Sequence, residues 1–136
     1  MSLNAFVKSL SVALGLAVVA GASAALSDLR DEPEITEGLI ATAIAYEIGQ
    51  RCEELDARTL AGINYLWSLE ARARELGYSR EEIEAFIDND AEKDRLEALA
   101  RQRLRDKGGV EGSWDTYCAV GRAEIAAGSQ IGRLLR

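Results

Sequence analysis

Ile40, Ile44, Ile48 and Cys52 recur every four residues, the spacing of one face of a helix. Pro33, the only proline of the chain, suits the first turn of that helix, where its missing N–H costs nothing. A first helix therefore begins near Pro33 and carries Cys52 on its apolar face, close to its end. Asp56 reads as the N-cap of a second helix running to about Leu76. Leu60, Ile63, Leu66, Trp67, Leu69 and Ala73 are expected as its inward side, and Gly77 as a left-handed stop. Ser79 followed by Glu82 is a capping box, and it opens a short third helix with Ile83, Phe86 and Ile87 turned inward. Asp90 starts a fourth helix with the narrow apolar stripe Leu96, Leu99, Ala100 and Leu104. Glu97 and Arg101 form a favourable four-apart pair on its outer side, and Gly108-Gly109 ends it. A fifth helix follows Ser113, read as its cap, with Trp114, Tyr117, Cys118, Gly121 and Ile125 at helical spacing until Gly128 interrupts it. No alternating run of strand length occurs, and no internal repeat. The fold class predicted is all-α: a compact bundle of about five helices forming a single domain over residues 25–136.

Ahead of that domain the pattern changes. Lys8 lies in an N-terminal region with no acidic residue before Asp28, the stretch Leu10 to Ala20 is apolar, and Ala22-Ser23-Ala24 supplies a small-x-small cleavage site. Met1–Ala24 thus reads as a secretory signal, removed after Ala24. The alternative is a retained anchor: Ser9 to Leu26 is uncharged for 18 residues, near the lower limit for crossing the hydrocarbon. Export would place the mature domain in an oxidising compartment outside the cytoplasm; the resemblance given below implies the periplasm, peripheral to the inner membrane.

Export changes the meaning of the cysteines. There are two, Cys52 and Cys118, and no histidine. Structural zinc needs four Cys or His ligands at short spacings, so a metal is not expected. In an oxidising compartment a structural disulfide joining the first and last helices is the better reading, against two separate buried thiols. Closing so long a loop stabilises by roughly 4 kcal/mol in the chain-entropy account.

The formal net charge is −7, and removal of Lys8 makes it one unit more negative. Such a chain repels phosphates, so nucleic acid is not an expected partner. Without histidine there is no Ser-His or Cys-His nucleophile pair. Gly108-Gly109-Val110-Glu111-Gly112 lacks the Lys-Ser/Thr ending of a phosphate loop and reads as a helix connection. Asp88, Asp90, Glu92 and Asp94 could serve a glycosidase or hold calcium, but the order of an EF-hand is missing. Solvated acids at a helix start are the better account. No catalytic residue and no cofactor is assigned.

The last twenty residues carry Gly121, Gly128 and Gly132 among small neighbours, which permits close backbone approach. Two readings stay open. One is tight packing inside the domain. The other is a docking surface with Ile131, Leu134 and Leu135 as apolar anchors and Arg122, Arg133 and Arg136 as charged contacts.

Several stretches together carry a family resemblance. They are Asp31-Glu32-Pro33-Glu34-Ile35, Gly38-Leu39-Ile40, Cys52, Arg72-Ala73-Arg74-Glu75-Leu76-Gly77-Tyr78-Ser79 and Asp90-Ala91-Glu92-Lys93. At the C-terminal end they are Tyr117-Cys118-Ala119, Gly121-Arg122-Ala123-Glu124-Ile125-Ala126, Gly128-Ser129 and Ile131-Gly132-Arg133-Leu134-Leu135-Arg136. The set resembles a small exported alphaproteobacterial family, described as a domain of unknown function, whose genes lie among those of respiratory complex I, the NADH:quinone oxidoreductase. The resemblance implies an accessory, non-catalytic subunit on the periplasmic side, with membrane-arm subunits of that complex as partners. Membrane contact would come through the partner complex or through an uncleaved N-terminal segment. The overall plan, a signal, a short helical chain and one disulfide, also resembles the acid-stress chaperones of enteric bacteria, which makes a free periplasmic chaperone the second expectation.

Overall fold

The computed structural model describes residues 29–136. The export signal read at Met1–Ala24, with its cleavage site, lies outside the described residues. Among the described residues six helices are complete: α1 (Pro33–Arg51), α2 (Thr59–Glu75), α3 (Arg80–Ile87), α4 (Asp90–Asp106), α5 (Trp114–Ala127) and α6 (Gln130–Arg133). No strand occurs among the described residues, only two isolated bridges. The all-α expectation holds, and α6 adds a short helix to the five that the pattern marks. Among the described residues no helix is long and apolar enough to cross a membrane.

Helix α1 is the axis of the molecule, packing against α2, α4, α5 and α6. Its isoleucines explain this: Ile40, Ile44 and Ile48 are each at most 2 % exposed. With Leu104, Val120, Ile131, Leu134 and Leu135 they form the main core. Each such side chain removed from water stabilises by roughly 2 kcal/mol. A second cluster, Leu29, Ile35, Leu69, Ala73, Ile83 and Phe86, holds α2 and α3 against the start of α1. Tyr65 and Leu96 touch both clusters.

The helix ends follow local chemistry with two exceptions. Pro33 sits at the first turn of α1. The Ser79 hydroxyl accepts from Glu82 N–H while the Glu82 carboxylate accepts from Ser79 N–H. Gly77 and Gly128 take positive φ, at 101° and 62°. Asp56, however, does not cap α2, which starts at Thr59 without a side-chain cap. The linker 56–58 is instead extended against 134–136: Asp56 and Arg136 exchange both backbone hydrogen bonds, at 2.9 and 3.0 Å, and Arg58 N–H donates to the Leu134 carbonyl at 2.8 Å. With its carbonyl already taken by Arg136 N–H, Asp56 does not accept the first helical bond; Arg58 does, from Gly62 N–H at 2.9 Å. Nor does the Ser113 hydroxyl cap α5. Thr116 does the local work, its hydroxyl accepting from Val110 N–H at 2.8 Å and donating to the Ser113 carbonyl at 2.6 Å.

Cys52, the C-cap of α1, is bonded to Cys118 in the second turn of α5, with Cα atoms 5.2 Å apart. Beside the disulfide the Arg51 guanidinium lies over the Trp114 ring, 4.8 Å from its centroid, and Trp114 meets Tyr117 edge-on at 5.1 Å. The end of the first helix and the start of the last long one are thus held by a covalent bond and a cation–π contact together.

Candidate docking surface

The second helix does not pack as its pattern suggests. Of the six apolar residues expected to face inward, only Leu69 and Ala73 are buried. Leu60 is 71 % exposed and Trp67 64 %, and Ile63 and Leu66 lie at the surface too. The reason is geometric. At 100° per residue, Leu60, Ile63 and Trp67 share a face nearly opposite Leu69, and α1 and α3 occupy only the Leu69 side. Ile87 of α3, also expected inward, is half-exposed because α3 is a short helix seated on Ile83 and Phe86.

These residues are contiguous. A groove of about 300 Å³ between α1, α2 and α3 has Leu29, Ile35, Leu69 and Phe86 among its lining and Leu66, Trp67 and Ile87 at its edge. A second, of about 180 Å³, lies between α1 and α2 beside Tyr46, Gly62, Ile63 and Leu66. Leu66 borders both, so an apolar strip runs from Tyr46 across α2 to Ile87. From Thr59 to Leu69 there is no charged residue at all, in a chain that is 29 % charged. Glu70 and Arg74 close the strip as a mutual ion pair. An exposed apolar patch of this extent, carrying a tryptophan and bordered by Arg58 at one end and Glu70 at the other, has the composition of an interface centre with a polar rim.

The residues expected to dock fare differently. Ile131, Leu134 and Leu135 are at most 7 % exposed and belong to the main core, which is the internal-packing reading of the two left open for them and not the docking one. The 56–58 pairing folds the segment back and carries both leucines under α1. Gly132 permits this, because a Cβ there would run into the Glu124 carbonyl of α5. The arginines remain at the surface, bonded within the chain. Arg122 pairs with Glu54, Arg133 donates to the Gly128 carbonyl at 3.0 Å and to Gln130 Oε1 at 2.6 Å, and Arg136 lies 3.8 Å from Asp56. Of the three, Arg136 shares a surface hollow with Leu60, Ala61 and Asn64 of α2. The strip itself was open to sequence reasoning through the unbroken uncharged run 59–69, whose apolar residues occupy more than one helical face.

The acidic cluster also resolves into separate roles. Asp88, Asp90 and Asp94 are exposed, but Glu92 is 2 % exposed and not solvated as expected. Its carboxylate receives Arg30 and, at 3.0 Å, Arg95, and its N–H donates to Asn89 at 2.9 Å. A buried carboxylate between two guanidiniums is a structural clasp joining α4 to the segment before α1. Among the described residues no group of acids or cysteines is arranged to hold a metal ion.

Two further carboxylates tie elements together. Glu37 of α1 receives a two-pronged contact from Arg103 of α4, both distances 2.7 Å. The hydrogen bond from that guanidinium holds the Glu37 carboxyl below its ordinary value. Burial pushes Glu124 up, but hydrogen bonds from Lys107 (2.6 Å) and Ser129 outweigh it and leave its carboxyl lowered.

The fold and surface define a disulfide-closed helical domain with an uncharged apolar strip on its second helix. Residues 27–136 match the family described as "Family of unknown function (DUF5333)", and the chain belongs to that family. No curated protein and no solved structure matches it.

Proposed function

We propose that this protein is a non-catalytic, exported accessory subunit that docks through the α2 strip onto membrane-arm subunits of respiratory complex I and supports the assembly or stability of that complex. The observation that carries the docking is the strip itself: Leu60, Ile63, Leu66 and Trp67 stand in water on a helix whose inner side is already packed. The disulfide supports a location outside the cytoplasm, since such bonds persist in oxidising compartments. The choice of partner comes from the family resemblance and its gene neighbourhood. A subunit of this kind acts by binding the assembled state preferentially.

Tagged protein purified in mild detergent should bring membrane-arm subunits with it, and Trp67→Glu should abolish that capture. Deleting the gene should lower the yield and melting temperature of the complex and leave NADH oxidation per assembled complex intact. Normal yield and melting without this chain would refute the proposal.

A second reading, a periplasmic chaperone released by acid, is favoured by one observation. The lowered carboxylates Glu37 and Glu124 bridge separate elements, so protonation would loosen them. Suppression of client aggregation at acid pH, with no capture of complex I, would select it.

A further inference from the structure

Taking the α2 strip as a docking surface, we propose that its occupant in the free protein is a second copy of this chain, paired strip to strip about a two-fold axis. Three observations support this occupant.

Charge is the first. The chain carries −7, so two copies repel over most of their surfaces. Across the uncharged run 59–69 they do not. The run itself offers no charge with which to select a basic partner.

Area is the second. Tyr46, Leu60, Ile63, Leu66, Trp67 and Ile87 leave on the order of 600 Å² of side-chain surface in water per copy. With the neutral rim of Thr59, Asn64 and Ser68 this approaches the roughly 800 Å² that each partner gives to a stable interface.

Self-complementarity is the third. A two-fold interface must place each residue against a fixed counterpart. Leu60, Ile63 and Trp67 follow the i, i+3, i+7 spacing of a helix-pairing seam. Two antiparallel copies of α2 with the axis beside Ile63 and Asn64 set Leu60 of each copy against Trp67 of the other. The two most exposed members of the α2 strip then cover one another, and the grooves flanking Leu66 lie open to the opposing side chains.

The test is the mass of the exported chain, disulfide intact, by sedimentation equilibrium from roughly 1 to 100 µM, a range that brackets a modest interface. A reversible dimer is expected. Leu60→Arg and Trp67→Glu should each raise the dissociation constant about tenfold or more while leaving the helical circular dichroism and melting curve of the monomer unchanged. An equimolar mixture of the two variants should recover dimer, because the new arginine of one faces the new glutamate of the other. A monomer at every concentration, or no recovery on mixing, would overturn the pairing. The dimer and the docking proposal fail separately. A monomeric wild type that still captures complex I through Trp67 removes the dimer alone. A dimer whose capture of complex I ignores Trp67→Glu removes docking through this face alone.

Discussion

Two glycines in helices illustrate how one hydrogen atom can be required or merely present. At Gly132 an added Cβ would lie against the Glu124 carbonyl of α5, with the Ile125 Cα also in contact range. Both are backbone and cannot rotate away. Gly132→Ala should therefore pry α6 from α5 and destabilise by about 3 kcal/mol. At Gly62, inside α2, a Cβ would meet nothing within 4 Å. Glycine there carries only its entropic cost, so Gly62→Ala should stabilise by about 0.5–1 kcal/mol. Urea denaturation of the two variants, followed by circular dichroism, checks both; equal effects would contradict the packing described for α6.

Helix α4 carries few buried apolar groups: Ala100 and Leu104 are buried, Leu96 and Leu99 only partly. Glu92 with Arg30 and Arg95, and Glu37 with Arg103, fasten it at two heights along α1 and the segment before it. The folded-state value of Glu37 lies below its ordinary 4.5. The unfolded chain then binds the proton more readily, so the pair's contribution is fully present above that ordinary value and is lost as pH falls through the folded one. Glu124 adds a loss of the same sign. Because Glu37 is half-exposed, solvent screening makes its share small. Melting temperature measured from pH 7 to pH 3 should stay level and then drop below about pH 4.5, and Glu37→Gln should lessen that drop by a small but measurable part. An unchanged slope in the variant would show that the clasp does not contribute.

At the scale of the whole molecule, the bond between residues 52 and 118 closes most of the folded chain into one loop. All of α2, α3 and α4 lie within it. Loss of that constraint frees the unfolded chain more than the folded one. The double variant Cys52→Ser, Cys118→Ser should therefore lose roughly 4 kcal/mol, and its melting temperature should fall by on the order of 15 °C or more. Calorimetry reads both values. A variant melting within a few degrees of the parent would mean that core packing around α1 suffices.

Sequence by itself determined the helical class, the inner face of α1, the stops at Gly77 and Gly128, the capping box at Ser79 and the cysteine pair. These depend on chemistry within one or two turns, or on there being only two sulfurs to join. Tertiary structure alone decided which faces of α2 and α3 are covered, that Asp56 pairs with Arg136 instead of capping a helix, that Glu92 is buried, and that Ile131, Leu134 and Leu135 turn inward. Periodicity marks an apolar residue without saying whether another element will reach it. That depends on how many helices can crowd around α1, and there Leu69 has neighbours while Leu60 and Trp67 have water.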